Sequence, residues 1–125
     1  MKGLRILIVE DDLLIAMGLA GMVEELGHQV CGQAVDAPGA VDEAGRRTPD
    51  VVLMDVRLAG GTSGETAAAE IRRRFGIRSL FVSGNLDRAF VERTAPLDPV
   101  GYVAKPVDRG TLRMALSVVT DEGER

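Results

Sequence analysis

The chain has 125 residues, 46% hydrophobic and 27% charged, which fits one domain with a genuine core. Its net charge of −4 argues against direct nucleic-acid binding, and no apolar run is long enough to suggest a membrane partner. The single cysteine, Cys31, excludes an internal disulfide and a multi-cysteine zinc site. Met1-Lys2-Gly3 leads directly into structure without a signal-peptide core, so the expected setting is cytoplasmic.

Leu4–Val9 is a mostly unbroken apolar run and reads as a strand buried on both faces. It ends in Glu10, Asp11 and Asp12, where crowded like charges repel one another and resist burial. Ile15, Leu19, Met22 and Leu26 then recur at helical spacing as the expected inner face of a helix that Gly27 stops. After a second strand, Gln29–Ala34, Asp36 caps a second helix with Pro38 in its first turn and Val41 and Ala44 inside. Val51–Asp55 is the third strand. The third helix runs from Gly64 to Phe75, with Ala68, Ile71 and Phe75 inward and Arg72–Arg74 outward. Ser79–Ser83 is the fourth strand. Asp87–Thr94 predicts a short helix broken by the prolines of "APLDP", with Leu86, Phe90 and Val91 as a surface apolar patch. Val100–Val103 is the fifth strand, and Asp108 opens a last helix carrying Leu112, Ala115, Leu116 and Val119.

Met17, Met22, Met54 and Met114 read as core fillers and Cys31 as a small core residue, while His28 has no partner in sequence. The expected domain covers residues 1–120, with 121–125 as a disordered tail. Five β-α repeats make a doubly wound α/β fold, a parallel sheet with helices on both faces.

Ligands of such sheets sit beyond the carboxyl ends of the strands. Those ends carry Glu10, Asp11 and Asp12, then Asp55, then Ser83, with Lys105 following the fifth strand. Carboxylates so gathered suit Mg²⁺, a hard cation that takes one or two carboxylates directly and keeps several waters. Asp11 and Asp55 suit direct ligation, Glu10 suits a metal-bound water, and Asp12 suits the cap of the first helix. "VEDD" stands where a glycine-rich dinucleotide loop would be needed, so the phosphate chemistry that fits is a carboxylate nucleophile on phosphorus. Metal, the Lys105 ammonium and the Ser83 hydroxyl would each neutralise one oxygen of the transferred group.

Four motifs in order and spacing, "RILIVEDD", "DVVLMDVRLAGGTSG", "LFVSG" and "GYVAKPVD", strongly resemble the CheY-like receiver domain of two-component response regulators. The resemblance implies strand order 2-1-3-4-5, Asp55 as phosphoacceptor, Glu10 and Asp11 as the metal-binding acidic pair, and Lys105 as the phosphate-binding lysine. It further implies Ser83 as the switch hydroxyl, Tyr102 as the switch aromatic, the Arg57 backbone carbonyl as a metal ligand and a cis peptide bond at Lys105–Pro106. A histidine kinase or histidine phosphotransfer protein would be the donor. A downstream protein would read the surface of helix four, strand five and helix five, and the chain would be a monomer or a phosphorylation-dependent homodimer. Such a phosphoacceptor assists its own phosphorylation and dephosphorylation and is not a turnover enzyme.

Ala59 departs from the family's frequent proline, and "AGGTSG" makes the next loop glycine-rich, a composition that favours mobility. "LFVSGN" is similar to the Phe-Ala-Thr-Gly-Tyr subgroup of stand-alone receivers, with Ser and Asn substituted, and since 125 residues hold no output domain beside the receiver, either a stand-alone receiver or one excised from a larger regulator is expected. The competing reading is a pseudo-receiver, a protein-binding module that keeps the fold without phosphorylation. The complete set of Glu10, Asp11, Asp55, Ser83 and Lys105 argues against it, since a module freed of chemistry has no use for repelling carboxylates.

Overall fold

A computed structural model describes residues 3–123. The strands are β1 (Arg5–Val9), β2 (Gln29–Ala34), β3 (Val51–Asp55), β4 (Ser79–Ser83) and β5 (Gly101–Ala104). The helices are α1 (Leu13–Glu25), α2 (Ala37–Arg47), α3 (Gly64–Phe75), α4 (Arg88–Thr94) and α5 (Arg109–Gly123). The strands form one parallel sheet in the order β2-β1-β3-β4-β5, so the expected topology holds.

Strand side chains alternate between two faces, and the two cores follow that period. Leu7, Val9, Val52, Met54 and Phe81 pack under α2, α3 and α4. Ile6, Ile8, Leu53, Leu80 and Val103 pack under α1 and α5. Both faces being covered explains why β1, β3 and β4 read as unbroken apolar runs, while the edge strand β2 keeps exposed Gln29 and Gln33.

Helix starts follow local chemistry. The Asp12 carboxylate accepts from the Leu14 and Ile15 amides, Asp36 from Gly39, and Asp87 from Phe90. Each such cap contributes about 1 kcal/mol by satisfying amides that lack helical partners. A 3-10 turn, Ala95–Leu97, follows α4, so the fourth helix is short as expected.

Several side chains differ from expectation. The inner seam of α1 is Ala16, Leu19 and Val23, and Ile15 is exposed while Met22 is half-buried. The reason is that α1 is apolar around its whole circumference, with Leu13, Leu14 and Met17 also facing outward, so period alone cannot select a face. Met114 is likewise exposed; of the four methionines expected as core fillers, only Met54 is fully buried. Phe75, the last residue of α3, is 36% exposed, with the Arg74 guanidinium over its ring and its ring edge where a Cβ on Gly45 of α2 would fall. Of the patch expected at Leu86, Phe90 and Val91, Phe90 is buried against Phe81 and Tyr102 and the other two are half-buried beside it. Cys31 is half-buried on the edge strand, and the Nδ1 of His28 accepts from the Leu4 amide at 2.9 Å. At the other end, α5 continues to Gly123, with Arg78 pairing Glu122 at 2.9 Å, and residues 124 and 125 lie outside the described residues.

Gly64 opens α3 where a Cβ would meet the Asp55 carbonyl oxygen at 1.8 Å, whereas Gly21 in α1 faces open space. Gly64→Ala is expected to destabilise the chain by about 1–3 kcal/mol through overpacking. Gly21→Ala is expected to stabilise it by about 0.5–1 kcal/mol by stiffening a helix interior. Urea-unfolding midpoints of the two variants check both signs.

Candidate functional site

The carboxyl ends of β1, β3 and β4 open into a cleft of 710 Å³ lined by Glu10, Asp11, Asp55, Arg57, Ser83 and Lys105 among others. Glu10, 3% exposed, sits directly after β1, and its Oε2 accepts from the Asp12 amide at 3.1 Å. Asp11, its neighbour, is exposed to the cleft. Asp55 ends β3, and its Oδ1 accepts from the Val56 amide at 2.8 Å. One oxygen from each of Glu10, Asp11 and Asp55 lies within 4.8 Å of the others.

Lys105 enters from the loop after β5, with its backbone amide donating to the Ser83 carbonyl at 2.9 Å. Its Nζ donates to Glu10 Oε1 at 2.9 Å and stands 3.2 Å from Asp55 Oδ1. Burial is the largest single influence on this ammonium and favours loss of its proton. The hydrogen bonds and charges of Glu10 and Asp55 together outweigh it, so Lys105 stays above the ordinary lysine value. Lys105–Pro106 is cis. One cation among three carboxylates leaves the cluster negative, and all its donors are hard oxygens, so the residues fit a divalent ion such as Mg²⁺.

Ser83 Oγ accepts from the Asn85 amide at 3.1 Å, which keeps the hydroxyl at the cleft and engaged with its own loop. Arg57 follows Asp55 by two and bridges Ser63 across the glycine-rich loop. That loop is pinned: the Leu58 amide donates to the Thr62 carbonyl and the Ala59 amide to the Val35 carbonyl, while Gly60 and Gly61 take positive φ. Tyr102 stands apart from the cleft. Its ring stacks on Phe81 and meets Phe90 edge-on, and its hydroxyl shares a 2.8 Å hydrogen bond with Thr94 Oγ1 of α4.

The sequence reading missed three cleft residues: Glu65, Asp87 and Arg93. Asp87 was legible only as the start of the short fourth helix. Glu65 lies in the first turn of α3 and Arg93 near the end of α4, and their guanidinium-carboxylate pair is bidentate at 2.8 and 2.9 Å. Nothing in local spacing signals a contact across 28 positions.

The family model for the response regulator receiver domain matches residues 6–117. The chain belongs to this family. Among curated relatives of this receiver, the phyllosphere-induced regulator PhyR of Methylorubrum extorquens is 35% identical over 90% of the chain and 42% of its own length. The transcriptional regulatory protein PdtaR of Mycobacterium tuberculosis is 34% identical over 91% of the chain and 55% of its own. The receiver thus spans about half the length of these relatives. The receiver domain of a modulated diguanylate cyclase from Desulfovibrio desulfuricans superposes with a TM-score of 0.88 at 30% identity, covering 98% of both chains. PhyR from Brucella abortus superposes at 0.81 with 34% identity over 98% of this chain and 49% of its own.

The hydrogen bond from Arg93 is the main reason the Glu65 carboxyl is held below the ordinary glutamate value; burial opposes it and the Arg93 charge reinforces it. A lowered native value means the pair contributes fully above an unfolded value of about 4.3 and is lost as pH falls through the native one. A carboxyl NMR titration is expected to place the Glu65 midpoint below the ordinary range, and Arg93→Gln is expected to return it there.

Proposed function

We propose that this receiver accepts a phosphoryl group on Asp55 from the phosphohistidine of a histidine kinase or phosphotransfer protein. The observation that carries the reading is the placement of the Asp55 carboxylate at an open cleft, 3.2 Å from the Lys105 ammonium and within 4.8 Å of two further carboxylates. A carboxylate oxygen attacks phosphorus in line, the O–P bond forms as the P–N bond breaks, and the imidazole departs with the electron pair.

Asp11, Asp55 and the Arg57 carbonyl would hold Mg²⁺, with Glu10 on its hydration shell. When bound, that ion neutralises charge on the phosphoryl oxygens. Lys105 meets a second oxygen, already oriented by Glu10, so little reorganisation is required of it. Ser83 meets the third by exchanging its bond with the Asn85 amide for one with the phosphoryl group. That exchange moves the β4–α4 loop and alters the face formed by α4, β5 and α5, which a downstream protein reads. Bartonella quintana PhyR, a solved relative at 31% identity, is an anti-anti-sigma factor, a role that supports a protein as the reader of this face. Among the described residues no helix is long and apolar enough to cross a membrane, in keeping with a cytoplasmic switch.

Intact mass after incubation with acetyl phosphate and Mg²⁺ is expected to show one added phosphoryl group, absent in Asp55→Asn and without metal. No addition, under conditions that label another receiver, would favour the pseudo-receiver. Lys105→Ala is expected to keep the fold and slow phosphorylation by roughly a hundredfold, as removal of one preorganised cation from a transition state does; quench-flow mass spectrometry gives the rate.

A further inference from the structure

α4 has only seven residues and is ended by Pro96, so its position depends on what grips it. Two grips lie side by side in sequence and point in opposite directions. Outward, the Arg93 guanidinium forks onto Glu65 and lines the cleft, with its Cζ 5.6 Å from the Phe90 ring centre. Inward, Thr94 is fully buried and its Oγ1 meets the Tyr102 hydroxyl while bonding back to the Phe90 carbonyl at 2.9 Å.

Arg93 shares its cleft with Asp55, and its side chain is 55% exposed against 24% for its present partner Glu65, so water screens the pair from the guanidinium side. A phosphoryl group on Asp55 would bring about two negative charges and three strong acceptor oxygens into the same cleft. It would repel Glu65 and attract Arg93, whose planar fork fits phosphoryl oxygens as well as a carboxylate. We propose that Arg93 is an exchangeable cation of this receiver, leaving Glu65 for the phosphoryl group on Asp55 and drawing α4 toward the cleft. The inference rests on the phosphoacceptor reading. Because Thr94 follows Arg93 directly, the displacement reaches Tyr102 through the hydroxyl pair, and the aromatic moves with α4 rather than by a free rotation.

Tyr102 is the only tyrosine and tryptophan is absent, so tyrosine emission reports this one ring. The test titrates the full chain with beryllofluoride, a phosphoryl mimic, in Mg²⁺. Fluorine NMR measures occupancy and tyrosine emission measures the coupling. Wild type is expected to bind and change its emission. Arg93→Gln is expected to bind about tenfold more weakly with no change in emission, and Arg93→Lys to recover part of both. Glu65→Gln, which frees Arg93 without removing it, is expected to bind roughly threefold more tightly, with emission already displaced before the mimic is added. Wild-type affinity and an unaltered emission change in Arg93→Gln would overturn the exchange while leaving Asp55 as acceptor. Absence of a bound fluorine signal in wild type would overturn the phosphoacceptor reading, and the exchange with it.

Discussion

Three carboxylate oxygens within 4.8 Å of one another repel, and the chain contains that repulsion with one ammonium that reaches Glu10 from 95 positions away. Lys105 meets Glu10 and Asp55 together only if β1, β3 and β5 are already in one sheet. The site is therefore a product of the whole topology and not of any local motif. The same arrangement leaves residual negative charge at an open mouth, which suits a hard cation and, on the proposed reading, a phosphoryl group beside it. Stability and chemistry are set against each other here, since closer neutralisation would quiet the repulsion and remove the site's use.

Around that fixed cluster, α4 is the least self-sufficient element. Its cap from Asp87, its buried Phe90, its outward pair with Glu65 and its inward bond to Tyr102 are all side-chain contacts. A segment held this way belongs to the low end of local stability, where elements that move are found. α1 and α3 are longer, at 13 and 12 residues, and lie over buried apolar seams, so they make a frame for it.

What was legible in the sequence is what obeys local rules. Unbroken apolar runs marked strands covered on both sides, carboxylates one residue before a helical pattern marked caps, and polar residues at strand ends marked the cleft. Where several faces were equally apolar, as in α1, periodicity could not say that Ala16 and Val23 face inward and Met17 outward. Phe75 misled because its helical spacing looked inward, while at the helix end its ring rests against Gly45 of α2 and stays partly exposed. Glu65 with Arg93, and Thr94 with Tyr102, join α3 to α4 and α4 to β5. Such pairs arise from tertiary placement and leave no spacing signal, although they decide how α4 is gripped.

The period-two alternation of the strands has a mechanical consequence. Leu53 and Met54 are adjacent in the chain yet belong to different cores, and so do Tyr102 and Val103. Phe81, Phe90 and Tyr102 all lie on the α4 side, while the α1 and α5 layer rests on Ile6, Ile8, Leu53 and Val103. The sheet thus works as a partition wall. Side chains beneath α4 therefore pack against one set of strand residues, and those beneath α1 and α5 against another, with no shared members.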